Sequence, residues 1–379
     1  MTKIQGSHAS SLGLRSIAVA SVLCCAGLAQ AQSTVTLYGI VDAAFVSTTN
    51  QVGGTKSAID AGQLATSRWG FKGSEDLGGG LKANFALEST LANDTGAGGS
   101  SFGTPATANL FDRISTVGLS GGFGAVNLGR QNMLGVESIG LADPTGLAHA
   151  GTNPNVYYSA LNAGAAGFGN YGTNGGGTAL RQNNAIKYLT PMVSGFGGAA
   201  MIGLGENATA TTSASNYSGV SGYFTDGKSG VALAYAKLTQ GADGSALTLV
   251  GGGAKYVTGA ITFKGTFAES KTDTNTVAPQ FSNRKITVTG LGIDYALSAA
   301  TTLTFAYYQT KQTSVALGDG KASQFLVIGK YALSKRTVTY ASITSAKATT
   351  AADRMMSSGM VIAGQTSATR VALGVMHSF

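Results

Sequence analysis

Charge is scarce in this chain. Asp, Glu, Lys and Arg make up 11% of its 379 residues, against about a quarter in an ordinary soluble domain. A soluble enzyme of this size would have too few ionic groups to solvate its surface. Disorder is excluded as well, because disordered chains are rich in charge and poor in apolar side chains. Proline is rare, at five residues, and with no Gly-X-Y period this rules out collagen. Cysteine occurs only as the adjacent pair Cys24 and Cys25, so neither a disulfide framework nor a thiolate metal site can be built from the rest of the chain. Long hydrophobic runs are also missing. Beyond residue 31 the nearest, Met192 to Leu204, has 13 residues of which four are glycine, and a membrane helix needs about 20.

The first 31 residues read differently from the remainder. Lys3 and Arg15 precede an apolar run from Ile17 to Leu28, and Ala29-Gln30-Ala31 follows. A basic start, a short apolar stretch and an A-x-A site predict a secretory leader cleaved after Ala31. The expected mature chain, 32–379, then has 348 residues (379 less 31). It has no cysteine and a charge of +6, which is +8 without Lys3 and Arg15.

What is present is glycine, 56 residues of it, and a period of two. Val35, Leu37, Val41 and Phe45 share one parity, opposite Thr34, Thr36, Tyr38 and Asp42. Leu81, Ala83, Phe85 and Leu87 alternate with Lys82, Asn84 and Glu88, and Leu303, Phe305 and Tyr307 with Thr302, Thr304 and Tyr308. Near the end Val371, Leu373 and Val375 oppose Arg370 and Gly374, and near 230 the apolar residues alternate with alanines. Alternation at this spacing is strand, not helix. Lipid admits only helices and closed barrels, since every backbone group must be paired. The pattern therefore predicts an all-β transmembrane antiparallel barrel.

Sixteen runs can be counted: 34–46, 64–74, 80–89, 110–120, 123–130, 183–191, 195–204, 216–224, 229–237, 245–257, 259–269, 284–297, 300–310, 322–333, 335–344 and 368–379. That number is even, as bacterial barrels require, and large enough to leave an aqueous channel. Pro105, Pro144, Pro154, Pro191 and Pro279 all fall in or beside the connections. Small lumen-facing residues are expected to leave room for the channel. Tyr38, Trp69, Phe85, Phe111, Tyr188, Tyr256, Tyr295, Tyr331 and Phe379 stand near run ends, where interfacial girdles are expected. In one run Ile286 and Val288 change parity to Leu291, Ile293 and Tyr295, which predicts a bulge at Gly290.

From about Gln131 to Leu180 alternation stops. A loop of this length is usually functional, and in so wide a barrel its first half is expected to fold into the lumen, with the part beyond about Asn162 outside. Its acids Glu137 and Asp143 would then face the wall. Parity places Lys82, Arg181, Lys187, Arg68 and Lys72 on that wall. Arg113 and Arg130 fail the parity test, grouping with Leu119 and Leu128, but both stand at run ends. Arginine on a lipid face costs about 2–4 kcal/mol at midplane, so an inward or rim position is the default. Acids facing arginines across a gap would set up a transverse field that sorts solutes by charge and polarity. With few acids in the loop and a basic chain, a mild anion preference is expected.

Other chemistries find no support in the sequence. His149 and His377 lie far apart, with no grouped acid or nucleophile to make a hydrolase. Residues Gly167 to Gly172 fit G-x-G-x-x-G but neither follow a strand run nor open a helix. Lysine and arginine are spread without a basic run, so no nucleic-acid partner is expected, and no metal or cofactor is implied. A substrate-selective channel or an adhesin on the same scaffold is the alternative reading; Tyr157, Tyr158 and Tyr171 are its only hint.

Several motifs point to a family. S-T-V-T-L-Y-G-I-V-D-A (33–43), S-R-W-G-F-K-G-S-E-D-L-G-G-G-L-K-A-N-F-A-L-E-S (67–89), L-F-D-R-I-S-T-V-G-L-S (110–120), F-G-A-V-N-L-G-R-Q (123–131), R-Q-N-N-A-I-K-Y (181–188) and the terminal H-S-F (377–379) resemble the Gram-negative outer-membrane porins of the β-proteobacterial type. The resemblance implies homotrimers of sixteen-stranded barrels in outer-membrane lipid, a third loop folded into the lumen, and passive diffusion of ions and small hydrophilic solutes. It matches Arg68, Arg113, Arg130 and Arg181 to arginines opposite that loop. It also matches Phe379 to the terminal aromatic read by the barrel assembly machinery. The P-E-F-G-G motif that enterobacterial porins carry in their constriction loop is absent.

Overall fold

A computed structural model describes residues 34–99, 110–149, 152–156, 180–205, 216–239, 244–276, 279–349, 360–362 and 364–379. The strands are β1 (Thr34–Gln51), β2 (Gly54–Ala61 continued by Arg68–Gly78), β3 (Leu81–Ala92), β4 (Ile114–Gly121), β5 (Gly124–Asn132), β6 (Arg181–Leu189), β7 (Phe196–Gly203) and β8 (Asn216–Thr225). They continue as β9 (Ser229–Thr239), β10 (Ala246–Thr258), β11 (Ile261–Thr272), β12 (Lys285–Ala296), β13 (Thr301–Thr313), β14 (Gly320–Ala332), β15 (Thr337–Ala348) and β16 (Ser367–Ser378). The two segments of β2 pair end to end along one side of β1 and make a single stave, and Ala97–Gly98 is only a short return on β3. Sixteen antiparallel staves result, closed by β1 on β16 from Ile40↔Ser378 to Thr48↔Arg370.

The alternation of the sequence is the alternation of burial. On β9, Gly230, Ala232, Ala234, Ala236 and Leu238 are buried while Val231, Leu233, Tyr235 and Lys237 are exposed. Leu233 and Leu291 are each 60% exposed on the outer face. A continuous apolar outer band of this kind is stable in lipid and not in water. One end of the barrel has tight turns, such as 79–80, 122–123 and 259–260, together with Thr34 and Phe379. The other end has the long connections, and in barrels of this type it faces outward.

The structure corrects three expectations. The ladder runs through Gly290 without a shift, paired to Thr266 and to Tyr308. Ile286 and Val288 instead face inward, buried to 0% and 1%, and Val288 belongs to an apolar cluster inside the barrel. The irregularities lie between Thr48 and Gln51, Asp76 and Gly78, and Gly129 and Gln131. Second, the strand expected at 64–74 begins at Gly54 and breaks at 62–67. There the Asp42 carboxylate takes the backbone N–H of Leu64 at 2.6 Å and of Ala65 at 2.7 Å. Third, Tyr38 is not a girdle residue: its hydroxyl donates to Glu88 at 3.1 Å inside the barrel.

The core also lies inside the barrel. After β5 the chain forms a short helix, α1 (Leu134–Gly140), packed on the inner faces of β9 and β10. Met133, Leu134 and Ile139 are buried against Tyr217, Ala234, Ala236, Leu247, Leu249 and Val288. The inward alanines, expected to leave room for water, are the seat of this helix.

The candidate pore constriction

The loop that leaves β5 is seated on glycine and tied down by polar contacts. A Cβ on Gly253 would lie 2.9 Å from that of Ala142, and one on Gly292 would lie 2.6 Å from that of Pro144. Only a wall without side chains at these points admits the loop backbone. Asp143 then acts as a hub. Its Oδ1 accepts from Thr145 N at 3.1 Å, Leu147 N at 2.8 Å and Tyr308 on β13 at 3.0 Å, and its Oδ2 accepts from Asn155 at 2.8 Å. Farther on, His149 N donates to Gln63 O at 2.6 Å and Gln324 donates to Thr152 O at 3.0 Å. Residues 134–149 and 152–156 of the loop thus lie within the lumen, held at the break in β2 and on β13 and β14. Tyr157, Tyr158, Tyr171, residues 167–172 and Ala31 lie outside the described residues.

Asp143 is 1% exposed, so it does not present its charge to the pore as expected. A carboxylate surrounded by this many donors is best satisfied when turned into them. Glu137 does reach the lumen, with 41% of its side chain accessible, and pairs with Lys187 at 2.7 Å. Lys187 itself is buried under α1 and also donates to Asn132 O.

The arginines gather on the wall of β2 to β6. Glu88 binds Arg113 at 2.6 Å and Arg68 at 3.6 Å. Arg130 donates to Asp112 O and to Asn183 Oδ1, and Asp112 is fixed by Thr90 N and Oγ1, both at 2.7 Å. Arg181 stands on β6 opposite Asn132, and it is 5% exposed. Arg68 keeps 28% of its side chain accessible. Arg130 escapes strict parity because the bulge at Gly129 turns it inward while Leu128 stays 47% exposed outside. Arg113 precedes the first residue of β4 and so escapes the alternation altogether. Among the described residues two acids face four guanidinium groups here, an excess of positive charge on this wall.

Lys82 does not join them. It stands exposed one residue inside β3 at the turn end, six residues from Glu88, which is about 20 Å along a strand. Sequence reasoning also passed over Glu88, Asp112 and Tyr38. Parity had put Glu88 and Tyr38 on the inner face, but their pairing spans 50 residues of sequence. Below the loop, Lys264 pairs with Asp294 at 2.7 Å and donates to Pro144 O. Phe379 exchanges backbone hydrogen bonds with Gly39 and lays its ring over that glycine at the closing seam.

A closed sixteen-stranded barrel with an apolar exterior, a charged lumen and an inward loop is an outer-membrane channel. Residues 17–351 match the Gram-negative porin family, and the chain belongs to that family. It is 30% identical to outer membrane porin protein 32 of Delftia acidovorans, over 96% of this chain and 99% of the relative. It is 32% identical to an outer membrane porin protein of Bordetella pertussis over 45% of this chain and 43% of the relative. Among solved structures it is similar to the anion-selective porin from Comamonas acidovorans, with a TM-score of 0.75 and 27% identity, covering 92% of this chain and all of the other. A trimer form of OmpT from Vibrio cholerae shares the fold, with a TM-score of 0.62 at 12% identity, covering 92% of this chain and 99% of the other. The protein is accordingly a porin of the outer membrane, a channel and not an enzyme.

Proposed function

We propose that this channel passes small hydrophilic solutes and ions passively, without a cofactor, and prefers anions. The observation that carries the reading is the surplus of charge on the wall of β2 to β6, where among the described residues Arg68, Arg113, Arg130 and Arg181 gather about two acids, Glu88 and Asp112. Across the lumen the loop offers little to offset it: Glu137 is paired with Lys187, and Asp143 is turned into the donors of Thr145, Leu147, Asn155 and Tyr308. Anions entering a narrow, positively lined opening are concentrated there and cations are depleted. The similar porin from Comamonas acidovorans, described as anion-selective, supports the same sign.

We infer further that residues 1–31 are removed on export, that 32–379 form a homotrimer, and that Phe379 is read during barrel assembly. The trimer form of a structurally similar porin supports the assembly state. The test is the zero-current potential in a planar bilayer under a tenfold KCl gradient. An anion-sided potential that falls in Arg68→Gln supports the reading. A cation-sided potential would leave Glu137 as the dominant charge and overturn the basic constriction.

A further inference from the structure

We propose that Asn183 is a specificity-determining residue of the pore: it holds Arg130 through an uncharged oxygen and so leaves that guanidinium's charge in the lumen. Asn183 lies in R-Q-N-N-A-I-K-Y (181–188), between Arg181 and Lys187. The inference rests on the proposed anion preference and names the position that sets its strength.

Strands β5 and β6 do not pair evenly here. Gly129 lies opposite Ala185 and Gln131 opposite Gln182, so Arg130 meets two residues of β6, Asn183 and Asn184. Asn184 takes the extra step in the left-handed region, at φ 49°, which asparagine tolerates better than most residues. Asn183 keeps the inward parity of Ala185 and Lys187. Gln131 closes the irregular stretch from the β5 side, its amide donating to the main-chain oxygens of Asn127 at 3.2 Å and Gly129 at 3.4 Å. The mismatch brings Arg130 and Asn183 together, and the guanidinium donates to Asn183 Oδ1 at 2.5 Å.

The charge of the acceptor is what matters. A guanidinium carries only donors, so any oxygen can serve it, and a carboxylate binds it most strongly. Arg113 has that arrangement, with Glu88 Oε1 2.6 Å from its Nε. Arg130 is held in another way. Its Nε donates to the main-chain oxygen of Asp112 at 2.5 Å, while the Asp112 carboxylate is turned to Thr90 N and Oγ1, both at 2.7 Å. The amide at 183 supplies a second neutral oxygen. Asn183 thus fixes the direction of the guanidinium and takes nothing from its field. Aspartate has the same shape and would present the same oxygen with a full negative charge. Position 183 therefore controls one unit of wall charge at constant geometry.

The experiment measures the chloride-to-potassium permeability ratio of the purified protein in a planar bilayer, from the zero-current potential in a KCl gradient around 0.1 M. At the dielectric of water a unit charge about 5 Å from a passing ion changes its local concentration about fourfold, and about 2.3-fold after screening by 0.1 M salt. Anions fall and cations rise, so Asn183→Asp should lower the ratio about fivefold. Asn183→Ser keeps an uncharged oxygen and should stay within about twofold of wild type. Asn84→Asp adds the same charge to the inner face of β3, four residues nearer the turns than Glu88. At about 13 Å along the strand from Glu88 it should also stay within about twofold. All three variants should keep heat-modifiable migration, which reports folding. An unchanged ratio in Asn183→Asp would overturn the proposal, as would an equal fall in Asn183→Ser or in Asn84→Asp. A wild type that prefers cations would overturn the basic constriction instead, and a fivefold further move toward cations in Asn183→Asp would still support the role of Asn183.

Discussion

Tyr308 is the residue on which the seating of the lumen loop can be tested most cleanly. Its ring is fully buried on β13, and its hydroxyl lies 3.0 and 3.2 Å from the two oxygens of Asp143, 3.1 Å from Thr145 Oγ1 and 3.3 Å from Asn153 Nδ2. Tyr308→Phe keeps the packing, removes the hydroxyl's hydrogen bond to a charged, buried acceptor, and leaves Thr145 N and Asn153 Nδ2, which now also donate to that hydroxyl, with Asp143 as their acceptor. Such a bond contributes about 1.5–3 kcal/mol. Asp143 would retain Thr145, Leu147, Asn153 and Asn155 as donors, so the loss falls near ~2 kcal/mol and not at the cost of an orphaned charge. That is about a 30-fold shift toward the unseated loop. Asp143→Asn should cost more, because its amide would set N–H groups against the donors that now converge on the carboxylate. In single-channel recordings the expected outcome is more frequent closure and broader open-state noise, graded from Tyr308→Phe to Asp143→Asn. The double variant should be less than additive, since both changes remove the same bond. Tyr308→Phe that matches wild type in closure and noise, or strict additivity, would refute the reasoning.

His149 gives a dependence on pH. Burial, with Arg370 nearby, lowers its pKa to about 4 from 6.5. The neutral ring is the buried form, so seating is at full strength above about pH 6.5 and is lost as pH falls through about 4. At the acid limit this is about 3 kcal/mol. The ring's Nδ1 meets Gln63, which in turn donates to Asp60. His149→Asn suits the positive φ of 54° at this position and should abolish the pH dependence of closure; identical profiles for variant and wild type would exclude His149 as its source. Gly129→Ala tests the bulge. With φ at +118° and a Cβ that would fall 2.1 Å from Ser115 O, it should cost several kcal/mol and sharply reduce the folded, heat-modifiable fraction after refolding. Gly146→Ala, at φ +69° with open space around it, should cost about 1 kcal/mol. Equal yields from the two would show that the bulge does not matter.

The strands were legible in the sequence because a barrel wall separates two solvents, and alternation records both. All sixteen expected runs coincide with staves of the barrel. Alternation misleads where its premise of a polar inside fails. Val288 faces inward because the lumen at its level belongs to the apolar cluster of the loop residues Met133, Leu134 and Ile139, and Ile286, one pair of residues nearer the loops, follows it inward. That change of solvent, not a bulge at Gly290, reverses their parity. The real bulge at Gly129 left a different trace, an arginine apparently on the lipid face. The loop's anchor could not be read at all, since Asp143 and Tyr308 are 165 residues apart and nothing local marks either as a partner. Glu88 and Tyr38 carried the correct parity, but a period says which face a side chain takes and not what it meets there.

The two halves of the lumen do different physical work. Sixteen staves set an upper limit on the pore, but the opening is what remains after α1 and the following turn are seated. On β9 the seat is Ala232, Ala234 and Ala236, and where the turn crosses it is Gly253 and Gly292. These small residues bring the loop against the wall, and apolar contacts through Met133, Leu134 and Ile139 hold it there. The opposite half, from β2 to the start of β6, keeps its arginines fixed by Glu88, Asp112 and Asn183. Added volume on the dry side would push the loop toward the arginines, whereas changes on the charged side would alter the field at nearly constant width. On the proposed reading, width and selectivity are therefore controlled by separate sets of residues, and the chain can tune one without rebuilding the other.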